Sequence, residues 1–286
     1  MELTAPRPAA QTRFLVGLIG ADVGGSLSRP LHEREAAELG LRLFYQPIEV
    51  GDRPSGGELS GLIRTARRMG FRGLNVTHPC KQAVLPYLDR LSPDATALGA
   101  VNTIVFAGDE AVGYNTDWAG FGESLATGLP GVARDHVIQL GAGGAGAAVG
   151  YALLRSGTRV LTLVDPAPDR AARLARVLAD QFGADRVVIG DGSGPADGLV
   201  NASPIGMTAY PGVPVPVERL RRDMWVADII YRPAVTALLR RARDLGCRTL
   251  AGSGMLALQA AHGFELFTGH RPDSDRMLRH VEALTA

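Results

Sequence analysis

One polar segment of this sequence has the residue types and spacing that proton chemistry requires. The segment Gly73–Lys81 (GLNVTHPCK) places Asn75, Thr77 and Lys81 at the end of an apolar run, and open α/β sheets bind ligands at the carboxyl ends of their strands. Lys81 falls in the first turn of the next helix, an unfavourable place for a cation with only a structural role. A dehydrogenase that acts on an alcohol needs a group that takes the hydroxyl proton as hydride leaves, and a lysine at this position could shuttle that proton. A plain surface lysine is the alternative.

Further polar residues follow two other predicted strands. Asp117 begins a predicted helix, where capping alone would explain it; paired with Lys81, it would orient the lysine and hold its charge state. Asn102 lies at the end of another predicted strand. Ser26 and Ser28 place two hydroxyls at alternate positions after the first strand, which suits a small carboxylate. Capping of the next helix is the competing role for Ser28.

A glycine-rich turn follows an apolar strand and opens a helix. It consists of Gly141, Ala142, Gly143, Gly144, Ala145 and Gly146. This GxGxxG pattern, in this context, predicts backbone N–H groups that hold the pyrophosphate of a dinucleotide. Asp165 ends the next strand, where a carboxylate binds the ribose hydroxyls of NAD and repels the 2′-phosphate of NADP. NAD is therefore the predicted cofactor; NADP stays possible because Arg159, Arg170 and Arg173 lie near. A turn that serves only packing, with Asp165 as a helix cap, is the alternative.

Composition narrows the class of protein. The chain has 286 residues, of which 46% are apolar and 21% charged, so disordered and fibrous classes are excluded. A net charge of +1 gives no overall field for nucleic acid or an anionic membrane, and neither is expected as a partner. Cys80 and Cys247 are too few for a disulfide framework or a CxxC metal site, which predicts a cytoplasmic protein without a metal. Residues 1–12 resemble a loose leader and lack the apolar core of a signal peptide.

Strand-like and helix-like segments alternate, which predicts an α/β fold in two domains. Residues 1–112 form the predicted N-terminal substrate domain, with a mostly parallel sheet. Residues 113–254 form the predicted doubly wound Rossmann domain, which binds the dinucleotide. Residues 255–286 are helical, and the expected packing of Leu256, Ala260, Phe264 and Phe267 against the first domain completes it.

Seven motifs, in order, resemble the shikimate dehydrogenase family, especially its quinate/shikimate dehydrogenase branch. They are GLIG…SxS…H, NVTHPCK, LGAVNT, GYNTD, GAGGAG, NASPIGM and GxGMLALQ…F…FTG. The resemblance extends from about Gly17 to Gly269. It implies two domains with an active-site cleft between them, and reversible oxidation of the ring 3-hydroxyl of shikimate or quinate with NAD or NADP.

The resemblance also implies roles for individual residues. The catalytic pair is Lys81 and Asp117. Substrate would be bound by Ser26, Ser28, Thr77, Asn102, Tyr231 and Gln259. The dinucleotide would be bound by residues 141–146, Asp165 and Arg170, and its nicotinamide pocket would be lined by Asn201, Ser203, Met207, Gly254 and Met255.

Two departures from the family pattern favour its NAD-using, quinate-accepting branch. The usual SxSPxxHN is SLSRPLHE here, with the proline displaced by one position and Glu33 in place of asparagine. Asp165-Pro-Ala-Pro stands where NADP-dependent members have Asn-Arg-Thr. The expected partner is a polyhydroxy cyclohexane or cyclohexene carboxylate, and the expected assembly is a monomer or homodimer. A NADP-dependent biosynthetic reductase, an aminoshikimate-type dehydrogenase and an idle NAD-binding regulator stay open as alternatives.

Overall fold

A computed structural model describes residues 13–285 and places them around two six-stranded sheets. The predicted leader, residues 1–12, lies outside the described residues. The strands of the first sheet are β1 (Arg13–Gly20), β2 (Arg42–Glu49), β3 (Gly73–Val76), β4 (Arg90–Leu91), β5 (Thr103–Ala107) and β6 (Glu110–Tyr114). Its strand order is β2-β1-β3-β5-β6-β4. Its helices are α1 (Ser28–Glu38), α2 (Gly56–Arg68), α3 (Cys80–Ala83) and α4 (Pro93–Leu98).

This first sheet is mixed. Strand β1 pairs in parallel with β2 and β3, as the alternation of strands and helices predicts. Strand β5 is antiparallel to both β3 and β6. Gly108 and Asp109 alone connect β5 to β6, and a connection that short joins only antiparallel strands. The strand β6 that this hairpin adds carries the chain towards Asp117.

The second sheet is all-parallel and has the doubly wound order that the sequence predicts. Its strands are β7 (His136–Leu140), β8 (Val160–Val164), β9 (Val187–Ile189), β10 (Gly198–Asn201), β11 (Trp225–Asp228) and β12 (Arg248–Leu250). The order β12-β11-β10-β7-β8-β9 reverses between β7 and β10, and ligands bind at such a switch point. Its helices are α6 (Gly144–Arg155), α7 (Pro168–Phe182) and α8 (Ala237–Asp244), and α5 (Asp117–Gly128) connects the two sheets.

The last two helices return to the first sheet, as predicted. They are α9 (Gly252–Thr268) and α10 (Ser274–Thr285). Phe264 and Phe267 of α9 are fully buried in a cluster with Phe14 and Val16 of β1. The apolar face predicted for this segment is therefore the face that packs, although Leu256 is only partly buried. The domain boundaries themselves stay a prediction.

One uncharged stretch has the hydropathy of a membrane span but the glycines of a strand and turn, and three short elements were not predicted from the sequence. The uncharged stretch His136–Leu154 is strand β7, the glycine-rich turn and most of α6. No helix among residues 13–285 is long and apolar enough to cross a membrane. Helix α8 and strands β4 and β12 are absent from the sequence prediction; each is short, with at most eight residues.

Candidate active site

A cavity of about 410 Å³ lies between the carboxyl ends of the first sheet, the second sheet and helix α9. It contains all eight side chains to which the resemblance gives a catalytic or substrate-binding role. They are Ser26, Ser28, Thr77, Lys81, Asn102, Asp117, Tyr231 and Gln259. These residues are spread over more than 230 positions of the chain, so the fold brings together what the sequence could only place at separate strand ends.

Lys81 and Asp117 form an ion pair in this cavity. Lys81 Nζ lies 2.6 Å from Asp117 Oδ2, and the two side chains are 20% and 9% exposed. The other carboxylate oxygen, Oδ1, accepts a hydrogen bond of 2.9 Å from Asn102 Nδ2. Asp117 is the first residue of α5, and Thr116 holds the N-cap position. The carboxylate is thus directed to Lys81 and Asn102, and capping does not explain it.

Asn102 is fixed by its own neighbours. Its Oδ1 accepts hydrogen bonds from Thr116 N at 2.7 Å and from the Thr103 hydroxyl at 3.1 Å. The Thr103 hydroxyl in turn accepts from Asn75 Nδ2 at 3.0 Å. This buried network leads from the ion pair to the core, so the orientation of Asp117 is determined before any ligand binds.

Asn75 is a cavity residue to which the sequence analysis gave no separate role. It lines the same cavity, and its Oδ1 accepts a hydrogen bond of 2.8 Å from the hydroxyl of Tyr45. Burial raises the pKa of Tyr45, so this phenol keeps its proton as a donor. The position of Asn75 in GLNVTHPCK, two residues before Thr77, is the signal that could have placed it here.

The two serines occupy the far end of the cavity. Ser26 Oγ accepts a hydrogen bond of 3.2 Å from Ser28 N. Helix α1 begins at Ser28 itself, and its N-cap is Leu27. The capping role considered for Ser28 is therefore wrong, because Ser28 is the first residue of the helix and Leu27 holds the N-cap position. Its hydroxyl lines the cavity instead.

Glu33, the departure from the family motif, does not line this cavity. Its Oε1 accepts a hydrogen bond of 3.0 Å from Tyr45 N, and its Oε2 lies 3.3 Å from Arg29 Nε. The contact with Tyr45 joins helix α1 to strand β2, and the contact with Arg29 lies within α1. The substitution thus fastens the element that carries Ser28.

The glycine-rich turn has open space where a phosphate would approach. A Cβ atom added at Gly143 or Gly144 would meet no protein atom within 4 Å. At Gly141 and Gly146 it would lie 2.6 and 2.3 Å from backbone oxygens, and Gly141 also has a φ of +97°. The outer glycines therefore shape the turn, while the inner two leave the N-terminus of α6 accessible. The turn fits a dinucleotide pyrophosphate.

Two side chains form hydrogen bonds to the backbone of this turn. Gln139, fully buried in β7, donates from Nε2 to the carbonyl oxygens of Gly141 and Gly146, both at 2.8 Å. Asp165 Oδ2 accepts a hydrogen bond of 2.8 Å from Ala142 N, and the Asp165 side chain is only 3% exposed. The sequence analysis missed Gln139, whose amide in an otherwise apolar strand next to GxGxxG was the available signal.

Asp165 also contacts the start of α7. Its Oδ1 accepts from Ala167 N at 2.8 Å and lies 3.5 Å from Arg170 Nε. Each carboxylate oxygen can accept a second hydrogen bond, but the side chain is almost fully buried, so the contact of Asp165 with ribose hydroxyls stays a prediction.

A second cavity, of about 830 Å³, runs beside the first. Both contain Thr77, Lys81 and Ala145, so they adjoin at the ion pair. The second is bordered by residues 142–145 of the turn and by Arg170, Arg173 and Arg176 of α7. The second cavity is lined by residues from the turn to Lys81, an extent that suits an extended dinucleotide.

Of the five residues assigned to the nicotinamide pocket, one lines a cavity next to the ion pair. Met255 lines the first cavity. Asn201 is fully buried and donates to Ile205 O at 2.9 Å and to Asp228 Oδ1 at 3.1 Å, and the Ser203 hydroxyl donates to Asn201 Oδ1 at 2.7 Å.

Met207 and Gly254 have other surroundings. Met207 is 41% exposed. A Cβ atom at Gly254 would lie 2.2 Å from the Ser124 hydroxyl, so this glycine permits the close packing of α9 on α5. Among residues 13–285, neither cavity is lined by Asn201, Ser203, Met207 or Gly254. Their assignment to the nicotinamide pocket stays a prediction.

Asp228 is a buried carboxylate beside this network. It is 2% exposed and accepts hydrogen bonds from Asn201 Nδ2, Ile230 N and the Thr236 hydroxyl. Burial raises its pKa from 3.8 to about 6, and the three hydrogen bonds oppose that rise. Between these pH values the native state keeps a proton that the unfolded chain has lost, so the contribution of Asp228 to stability falls as pH rises.

Asp228→Asn is therefore expected to gain stability relative to the wild type as pH rises from 4 to 7. The difference in Tm between variant and wild type should increase by at least about 2 °C across this window. Thermal melts at pH 4.5, 6 and 7.5 measure it. Asp185→Asn, at an exposed aspartate, serves as control. A difference that stays constant for Asp228→Asn would contradict the assigned titration.

The fold and site define a class: a two-domain α/β oxidoreductase with a Rossmann sheet and a lysine–aspartate pair in the cleft. Family models match at residues 18–104 (shikimate dehydrogenase substrate binding domain) and 252–282 (shikimate 5′-dehydrogenase C-terminal domain). The chain is 52% identical to a shikimate dehydrogenase (NADP(+)) of Streptomyces avermitilis, over 96% of this chain and 97% of that protein.

Two further relatives come from Corynebacterium glutamicum. One is a quinate/shikimate dehydrogenase (NAD(+)), 46% identical over 92% of this chain and 96% of that protein. The other is the structure of a quinate dehydrogenase in complex with NAD, which superimposes with a TM-score of 0.91 at 44% identity and covers 96% of this chain and all of the other. The chain belongs to the shikimate dehydrogenase family of NAD(P)-dependent oxidoreductases.

Proposed function

We propose that this protein catalyses the NAD-dependent, reversible oxidation of the ring 3-hydroxyl of shikimate, quinate or both. The observation that carries the proposal is the ion pair of Lys81 Nζ and Asp117 Oδ2, 2.6 Å apart, in a cavity lined with hydroxyl and amide groups. Such a lining matches a small polyhydroxy ring. The neighbouring glycine-rich turn matches the dinucleotide.

In the proposed binding mode, the substrate carboxylate contacts the hydroxyls of Ser26, Ser28 and Tyr231. The ring hydroxyls contact Thr77, Asn102, Asp117 and Gln259, all of which line the same cavity. The Gln259 amide donates to Leu256 O at 3.1 Å, so its oxygen is directed away from that carbonyl and can accept from a ring hydroxyl.

The proposed chemistry divides between the two sides of the cleft. A bound nicotinamide dinucleotide supplies the hydride acceptor. In its neutral amine form Lys81 receives the hydroxyl proton at Nζ and becomes the ammonium that pairs with Asp117; in the reverse direction this ammonium returns the proton to the ketone oxygen. Asp117 holds Lys81 in place and accepts a hydrogen bond from the reacting or neighbouring hydroxyl, while Asn102 keeps the carboxylate in one orientation.

The direct test is the rate of absorbance increase at the reduced-cofactor band with shikimate and with quinate, each with NAD and with NADP. Turnover with NAD on either substrate supports the proposal. Turnover with NADP alone would favour the biosynthetic 3-dehydroshikimate reductase, a candidate supported by the name of the Streptomyces avermitilis relative and by Arg173 and Arg176 along the second cavity. No turnover with any pair, but tight NAD binding, would favour the idle regulator.

Asp165→Ser is expected to shift cofactor preference towards NADP by about tenfold or more in the ratio of kcat/KM values, because it removes a negative charge from the proposed ribose site. The KM for NAD should also rise, since Asp165 holds Ala142 N. Asp169→Ser removes an exposed charge four residues away and should leave the ratio unchanged. An unchanged ratio in Asp165→Ser would give this aspartate a purely structural role.

Other features of the proposal concern the setting of the enzyme. Both cysteines are free thiols, which supports the reducing environment of the cytoplasm. The proposed assembly is a monomer or homodimer. An amino analogue of the substrate stays a competing candidate, and the same assay with an aminoshikimate would detect it.

A further inference from the structure

Among residues 13–285, no cation lines the carboxylate end of the substrate cavity. One lysine, Lys81, stands against two aspartates, Asp22 and Asp117, among the side chains that line the cavity. The groups near the proposed carboxylate position are the hydroxyls of Ser26 and Ser28 and the phenol of Tyr231. An anionic substrate would therefore enter a cavity whose own formal charge is negative.

Arg232 supplies a positive charge beside this end. It follows Tyr231 directly in the chain, and its Nη1 donates a hydrogen bond of 3.2 Å to the carbonyl oxygen of Gly25, which directly precedes Ser26. Arg232 thus lies next to two residues of the proposed carboxylate site at once. It reaches across from the loop after β11 to the turn before α1.

The guanidinium has unused capacity. An arginine has five N–H donors, and among residues 13–285 Arg232 makes one hydrogen bond and no ion pair. Its side chain is exposed. Because it is outside the lining but adjacent to it, its field acts on an anion that approaches or occupies the serine end, without competing with Lys81 at the other end.

We propose that Arg232 is a specificity-determining residue that attracts the substrate carboxylate to the Ser26 and Ser28 end of the cavity. The inference rests on the proposed function, since it requires a carboxylate substrate bound at Ser26 and Ser28. A charge at the rim of a site acts mainly on association and on its dependence on salt. Arg232 therefore affects KM and kcat/KM for the substrate, and leaves the chemical step to Lys81 and Asp117.

The test is Arg232→Gln, with steady-state kinetics over a range of ionic strength. KM for shikimate or quinate should rise by about three- to tenfold at low salt, with kcat and the KM for NAD within about twofold of wild type. The decline of kcat/KM with added salt should be shallower in the variant. Arg232→Lys retains the charge and should restore most of the KM and the salt dependence.

A matched control separates this effect from loss of any surface arginine. Arg248 is also exposed and also donates to a distant backbone carbonyl, that of Pro130, at 3.0 Å. Arg248→Gln should leave both KM values and the salt dependence unchanged. Equal salt profiles for Arg232→Gln and wild type, with an unaltered KM, would overturn the inference.

A neutral substrate analogue gives a second measurement. The methyl ester of shikimate, used as substrate or competitive inhibitor, should bind wild type and Arg232→Gln with similar affinity, whereas free shikimate should distinguish them. Equal weakening of ester and acid would mean that Arg232 only shapes the loop. Failure of the wild type to oxidise shikimate or quinate at all would refute the proposed function, which is a different outcome.

Discussion

Replacement of Lys81 by alanine is expected to lower kcat by about 10²- to 10⁴-fold, the usual effect of losing a positioned acid–base group. Lys81 Nζ contacts Asp117 in the cavity, so the variant lacks the amine that is proposed to receive the hydroxyl proton. The side chain is on a short helix at the edge of the cleft and is 20% exposed, so the fold should persist. The KM for NAD should stay within about threefold of wild type.

The replacement of Lys81 by arginine is the sharper variant. Lys81 is the only lysine in the chain; all 29 other basic residues among the 30 counted are arginine. Lys81 is thus the one basic side chain that carries an amine rather than a guanidinium. A guanidinium retains charge and can still contact Asp117, but it does not give up its proton in proteins. Lys81→Arg should therefore remain nearly as inactive as Lys81→Ala.

The single lysine also permits a chemical test. Reductive labelling with pyridoxal phosphate and borohydride can modify only the Lys81 side chain and the terminal amine. Activity should fall with labelling of the peptide that contains Lys81, and bound substrate should protect it. Near wild-type kcat in either variant, or full activity with Lys81 labelled, would remove it from the proposed chemistry.

The sequence was sufficient to place several catalytic and substrate-binding candidates at the edge of the first sheet where the cavity lies. Strands β1 and β3 are parallel and end on the same side of the sheet, so the polar residues that follow them had to lie near one another. Spacing could not show that Lys81 and Asp117 touch, because they are 36 residues apart and the contact depends on the hairpin of β5 and β6. That reversal depends on a two-residue turn, a weaker signal than strand alternation.

The residues that the sequence analysis missed are polar groups inside strands. Gln139 and Asp228 are in β7 and at the end of β11, where an isolated amide or carboxylate has no periodic pattern to mark it. Their roles depend on which backbone groups the fold brings within hydrogen-bond distance, namely the carbonyls of the glycine turn and the loop after β11. Such partners are determined by tertiary structure alone.

Gly143→Asp is expected to abolish dinucleotide binding, with an affinity loss of about 100-fold or more, while the protein folds normally. Gly143 is the N-cap of α6 with φ −78° and ψ −168°, a conformation that any residue adopts, and its missing Cβ faces open space. Aspartate is a favoured N-cap residue, so Tm should be maintained or raised. In the bound state its side chain would occupy the space of the pyrophosphate and repel its charge. Gly143→Asn adds the bulk without the charge and separates the two effects.

Gly146→Ala provides the opposite result within the same turn. The Cβ added at this position would lie 2.3 Å from Gly141 O and 3.1 Å from Gln139 Nε2. The backbone must therefore shift, and the hydrogen bonds from Gln139 to the turn are disturbed. A loss of stability of about 1–3 kcal/mol is expected, as for an overpacked core. Calorimetric titration with NAD and thermal melts measure both variants. If Gly143→Asp binds NAD like wild type, or if Gly146→Ala melts like wild type, then the division between inner glycines that admit the phosphate and outer glycines that shape the turn is wrong.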